Sequence, residues 1–150
     1  MLPASRRKSY DTVRLELTGP LPACLLSGVG FAAIHIYNFG EDPLGLSLAT
    51  VWGFGAALTV IRTGTISWIV GFHIGWDWFL GFFCGARVSG IALQGRFLDS
   101  EPRGLSWVSG GSAGPEGSVF AMLVTIFWIA LLGWRFGAPF KIFPAARAGR

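Results

Sequence analysis

The chain has two histidines, His35 and His73, both inside long apolar stretches, and Asp77 follows His73 four residues later. An imidazole can ligate a divalent metal, take a proton from water or donate to an oxyanion, and a carboxylate or amide can orient any of these species. Positions four apart share a helix face, so His73 and Asp77 can act as one unit, and Phe31 stands in the same relation to His35. At about 1.5 Å of rise per residue, Asp77 is one turn from His73, which lets all three groups converge at similar depth. The combination suits hydrolysis of a peptide bond in a protected cavity. A lone histidine in an apolar helix often only hydrogen-bonds a neighbouring helix, for about 0.6 kcal/mol on average. Two histidines and an aspartate with no local Lys or Arg fit that reading poorly, because burying an unpaired carboxylate is costly.

The elements that must position these groups follow from composition. Of 150 residues, 52% are hydrophobic and 13% charged, and the mean hydropathy is +0.55, which is the balance of a membrane protein. Seven Trp and 15% aromatic residues exclude intrinsic disorder, and 22 glycines without a three-residue period exclude a collagen-like chain. A helix needs about 20 apolar residues to cross the bilayer core. Four stretches come near that length, at 21–39, 44–61, 66–84 and 118–134, with one long Gly- and Ser-rich connection at 85–117. The expectation is an all-α, polytopic membrane protein with about four transmembrane helices. The 85–117 loop is long enough to be functional or loosely ordered. The first stretch begins too late and runs too long to be the apolar core of a signal peptide.

With a cytoplasmic N-terminus, Arg6, Arg7, Lys8, Arg14, Arg62, Arg135, Lys141, Arg147 and Arg150 fall on one side, and Arg87, Arg96 and Arg103 on the other. The positive-inside bias therefore puts both termini in the cytoplasm. The net charge of +4 reflects topology, and no nucleic acid partner is expected. Trp52, Trp68, Trp107 and Trp134 lie near span ends or in a loop and read as interfacial anchors. Cys24 and Cys84 lack a C-x-x-C partner and read as free buried thiols. Glu116, at the mouth of the fourth stretch, reads as a cap on its helix dipole. The run from Gly110 to Gly114 satisfies G-x-S-x-G around Ser112, but a nucleophile elbow needs a preceding strand that this loop does not offer. Haem ligation by two histidines is disfavoured because Asp77 would sit beside the haem.

At these residues the sequence resembles the intramembrane metalloprotease family of CAAX prenyl endopeptidases and bacteriocin-processing and immunity proteins, the CPBP or Abi proteases. The family's F-x-x-x-H resembles Phe31 to His35, followed by Asn38. Its glycine-rich helix ending in an R-T-G turn resembles the run from Trp52 to Gly64, and its H-x-x-x-N/D motif resembles His73 to Asp77. The stretches 88–90 and 110–118 are similar to one bacterial subgroup. The likeness is strongest over 20–135, which makes residues 1–150 the C-terminal part of such a domain. The resemblance implies an integral protein of the bacterial plasma membrane acting as an intramembrane endopeptidase on a membrane-associated peptide or protein in the lipid bilayer. His35 would assist water activation or ligate metal, and His73 and Asp77 would bind metal or stabilise the oxyanion. The implied cofactor is a divalent metal, zinc, on His35, His73 and Asp77; a glutamate-dependent mechanism without metal is the other version. Asp77, where many members have Asn, favours the metal version. The family's E-E-x-x-x-R motif, whose glutamate activates the water, would fall near Met1 to Arg7, where no acid occurs. The expectation is a truncated or degenerate member, incomplete as an enzyme, with a catalytically inactive membrane scaffold or bacteriocin-immunity-like protein as the alternative.

Overall fold

The computed structural model describes residues 20–38 and 40–136. Its elements are α1 (Pro20–His35), α2 (Pro43–Thr63), α3 (Ser67–Asp77) running on into a π-helical segment (Trp78–Phe83), a short α4 (Ser106–Ser109), 3-10 turns at Gly111–Ala113 and Pro115–Gly117, and α5 (Val119–Phe136). No strand occurs among the described residues; Val88 and Ile91 form one isolated bridge. Most of the expected cytoplasmic cations, and the stretch where an E-E-x-x-x-R motif would fall, lie outside the described residues.

Local chemistry sets the ends of α2. Asp42, in extended conformation, accepts the Gly45 N–H at 2.8 Å, and Pro43 fills the first turn, where no donor is needed. At the other end Gly64 takes a left-handed φ of 72° and returns its N–H to Val60 O at 2.8 Å, so the R-T-G turn is a glycine C-cap. The Arg62 guanidinium reaches the last carbonyl of α5, Phe136 O, at 3.5 Å.

α2 and α5 are each long and apolar enough to cross a membrane. The other two expected spans are shorter than 21–39 and 66–84 implied. α1 has 16 residues, about 24 Å of helix, because the chain turns after His35 with Asn38 N–H on His35 O at 2.9 Å. The apolar residues Ile36 and Tyr37 belong to that turn. α3 proper has 11 residues, and the widened π segment begins directly after Asp77. π segments are rare, and where they interrupt an α-helix they are frequently at functional sites.

α1 and α2 pack through small residues. A methyl at Gly28 would meet Thr50 O at 2.5 Å, and one at Gly53 would meet the Phe31 Cβ at 2.7 Å. That close approach lets Ser27 Oγ donate to Gly53 O at 3.0 Å. Small-residue contacts replace the hydrophobic driving force where lipid is the solvent. The core of Cys24, Leu58 and Leu132 joins α1, α2 and α5, with Phe54, Ala57, Trp128 and Ile129 around it. Cys24 is fully buried and Cys84 half-buried, and both are free thiols. Large apolar side chains such as Leu26, Val29, Phe120 and Leu123 cover the outside.

The 85–117 connection folds back on the helices. Phe97 and Leu98 donate their N–H groups to Phe82 O and Phe83 O, at 2.8 and 3.2 Å, and Ser100 Oγ donates to Cys84 O at 2.6 Å. Gly90 N–H pairs with Ala113 O at 2.8 Å, which holds the two halves of the connection together.

Candidate active site

A cavity of about 590 Å³ opens between α1, α2, α3 and α5. Phe72, Val124, Phe127, Trp128 and Leu131 form apolar wall, while His35, Glu41, His73, Trp76, Ser89 and Glu116 contribute polar groups.

Phe31 organises the two histidines. Its ring lies 4.4 Å from that of His35 and meets the edge of His73 at 5.9 Å, and it stacks on Trp52 at 4.8 Å. Trp52 in turn meets His73 at 4.7 Å in an edge-on contact. Trp52, expected as an interfacial anchor, is therefore part of the cavity wall: it sits in the middle of α2 on the face packed against α1. Trp68, Trp107 and Trp134 are exposed, Trp134 by 81%.

The histidines have different hydrogen bonds. His35 Nδ1 is 2.7 Å from Phe31 O, and because a carbonyl only accepts, Nδ1 carries the hydrogen and the neutral ring keeps its lone pair on Nε2. His73 Nε2 is 3.2 Å from Asp77 Oδ2, the four-residue pairing expected from the sequence. Asp77 Oδ1 is buried and has no hydrogen-bond partner among the described residues.

Two carboxylates that sequence reasoning did not assign to the site also reach the cavity. Glu116, expected to cap the last helix, directs its carboxylate elsewhere: Oε1 accepts from Trp76 Nε1 at 2.9 Å, and Oε2 accepts from the Ser89 N–H at 2.7 Å and from Ser89 Oγ at 3.1 Å. Ser118 does the capping, its Oγ accepting the Ala121 N–H at 3.3 Å. Ser89 adopts φ 47°, a left-handed conformation rare outside glycine, and its bonds to Glu116 help hold it there. Glu41 lies in the turn between α1 and α2 with Oε2 buried and unpartnered. Burial pushes the Glu41 carboxyl above its ordinary range; the nearby His35 and an Asp42 backbone bond work against that rise, and the charges of Asp42 and Glu116 add to it. The available signals were a short turn that keeps Glu41 near His35, and the subgroup likeness around Glu116.

The expected metal set fares differently. Among the described residues no group of three His, Cys, Asp or Glu side chains is arranged to hold a metal ion, so His35, His73 and Asp77 as placed do not form a three-ligand set.

Comparison with known proteins gives one family. Residues 7–79 match the model described as Type II CAAX prenyl endopeptidase Rce1-like, a span that takes in α1, α2 and α3 and ends just beyond Asp77. No curated protein and no solved structure matches the chain. The stretch that carries Phe31, His35, Trp52, His73 and Asp77 is thus similar to the Rce1-like type II CAAX prenyl endopeptidases, in keeping with the resemblance to CPBP proteases.

Proposed function

We propose that the protein is an intramembrane endopeptidase of the CPBP type, hydrolysing a peptide bond of a membrane-associated substrate at a site formed by His35, His73 and Asp77. The observation that carries this reading is the shared aromatic cage: Phe31 and Trp52 hold two histidines from different helices on one cavity. The cavity combines apolar wall for a membrane-resident chain with polar groups for chemistry. His35 offers Nε2 as an acceptor that orients water. His73, tied through Nε2 to Asp77, keeps Nδ1 for the substrate carbonyl as charge develops on its oxygen. The protein spans the bacterial plasma membrane four times with both termini in the cytoplasm, α1 and the α3–π unit serving as short spans beside α2 and α5.

The test is cleavage of fluorescence-quenched peptides, farnesylated CAAX peptides among them, by the purified full chain in liposomes. Turnover by the wild type that is lost in His35→Ala and His73→Ala supports the reading. Absence of turnover on any membrane-inserted peptide leaves the inactive scaffold or immunity-like protein in its place.

A further inference from the structure

The helical unit that carries His73 and Asp77 is short for a membrane. The 11 residues of α3 and the six of the π segment extend about 26 Å at the rise of an α-helix, against a hydrocarbon layer of about 30 Å. The last carbonyls of a helix have no partner within it, and inside lipid there is no water to satisfy them. Here the 85–117 connection supplies the donors. Four consecutive carbonyls, of Phe82, Phe83, Cys84 and Gly85, accept from Phe97 N–H at 2.8 Å, Leu98 N–H at 3.2 Å, Ser100 Oγ at 2.6 Å and Ser100 N–H at 3.3 Å. The end of the π segment is thereby closed by protein alone.

Packing fixes the same seat. Leu93 lies on Gly81, where an added methyl would meet its Cδ1 at 2.7 Å, and the Leu98 carbonyl lies on Gly85, where a methyl would strike it. Between Leu93 and Phe97 the chain reverses at Gln94 and Gly95, the latter with φ 71°. Phe97 stacks on Phe83 at 5.5 Å and Phe83 on Phe79 at 5.4 Å, so one aromatic row runs from the π segment onto the connection. All three rings are exposed, Phe97 by 68%, and Leu98 is exposed beside it. From residue 88 to 98 the one ionisable side chain is Arg96, and it is paired with Asp99. An apolar surface that continues the outer face of a membrane helix, with its single charge neutralised by a neighbour, is matched to lipid.

We propose that residues 93–98 form a finger inserted in the bilayer, at the boundary between acyl chains and headgroups where the π segment ends, with Phe97 and Leu98 against lipid. This rests on the membrane-spanning reading above and is independent of the peptidase chemistry. Arg87, Arg96 and Arg103 stand against Asp99 and Glu101 in this part of the chain, so apolar contact holds the finger and attraction to anionic headgroups adds little. Val88 packs on the same Gly81, one residue before Ser89, so the seated finger also fixes that rim of the cavity.

The experiment places a nitroxide on single cysteines of the full chain in phosphatidylcholine liposomes and compares its collisions with oxygen, which concentrates in lipid, and with a nickel chelate, which stays in water. Cys84 is replaced by Ala, and Cys24 is fully buried, out of reach of the labelling reagent. The labelled variants are Phe97→Cys and Leu98→Cys in the finger, Leu123→Cys on the exposed face of α5 and Glu101→Cys in the exposed part of the connection. Oxygen should dominate at 97, 98 and 123 and nickel at 101, and adding phosphatidylglycerol should leave that pattern unchanged. Nickel dominating at 97 and 98 while oxygen dominates at 123 would overturn the finger and leave the spans standing. Few collisions of either kind at 97 and 98 would mean that protein, such as a second copy of this chain, covers the segment, and would overturn it equally. Oxygen dominating at 97 and 98 only once phosphatidylglycerol is present would overturn apolar insertion in favour of headgroup attraction. Nickel dominating at 123 as well would overturn both the finger and the membrane-spanning reading.

Discussion

α1, α2 and α3 hold Phe31, His35, Trp52 and His73 by contacts that follow from helix geometry, namely four-residue spacings and a small-residue seam at Ser27, Gly28 and Gly53. The 85–117 connection places Ser89 and Glu116 in the same cavity with little regular structure, through individual hydrogen bonds to Trp76 and between its own two ends. The helical wall is thus specified redundantly, by many weak packing contacts, and the loop by a few strong polar ones. Damage should spread differently through the two. A change in the wall should alter chemistry or packing directly, and a change in the loop should loosen one corner of the site.

The largest expected effect is on the wall's chemistry. His73→Ala removes the imidazole from between Trp52 and Asp77 and should lower peptide cleavage by about 10³-fold, within the range for loss of a proton-transferring or charge-stabilising side chain. The ring is partly exposed to the cavity, so the melting temperature in detergent should change little. A His73→Ala protein that cleaves normally would remove the wall from the catalytic account.

Next comes the wall's packing. Gly53→Leu places a side chain where the Phe31 Cβ, Ser27 O and the Gly28 Cα already stand, and overpacking of this kind costs about 1–3 kcal/mol. The variant should melt earlier, and the Phe31–His35 unit should move away from Trp52 and His73. Thermal unfolding in detergent, read together with cleavage rate, checks both. An unchanged melting temperature would show that the α1–α2 seam is looser than the Ser27–Gly53 bond implies.

What could be read from the sequence divides along the same line. The His73–Asp77 pair, the Phe31–His35 pair and the R-T-G helix end were legible, because helix periodicity and turn chemistry are local. The end of α1 was not: Ile36 and Tyr37 continue the apolar run, and hydropathy does not register that the backbone has turned. Trp52 was misassigned for a related reason, since an apolar aromatic facing lipid and one facing a cavity look alike in sequence. Glu116 was missed as a site residue because its partners Trp76 and Ser89 are remote in the chain and only tertiary folding brings them together.

The loop's dependence on Glu116 gives a smaller effect. Glu116→Ala leaves the Ser89 N–H and the Trp76 Nε1–H without their acceptor, at about 1–2 kcal/mol if water replaces it poorly. Hydrogen exchange should quicken at 86–91 and 113–118 while the amides of α1 and α2 keep their protection. Faster exchange throughout α2 as well would mean that wall and loop form one cooperative unit, and the contrast between them would fail.

The smallest effect concerns Glu41, which belongs to neither region but lies in the turn that joins α1 to α2, within electrostatic reach of the loop's Glu116. Burial raises its carboxyl above the ordinary value of 4.5, so the folded protein holds this proton to a higher pH than the unfolded chain does. Where the native state binds more protons, stability falls as pH rises. The contribution is therefore fully present below 4.5 and is lost as pH climbs from there through the raised folded value. Glu41→Gln cannot ionise, so its melting temperature should equal or slightly trail that of the wild type in acid and exceed it at neutral pH. The difference between the two curves isolates Glu41 from the other titrating groups. Glu116→Gln should narrow that difference, because the charge on Glu116 is one of the terms that makes ionisation of Glu41 unfavourable. Parallel curves for wild type and Glu41→Gln would place the Glu41 carboxylate in water rather than against the cavity, and Glu41 would then be one more acid of an exposed turn.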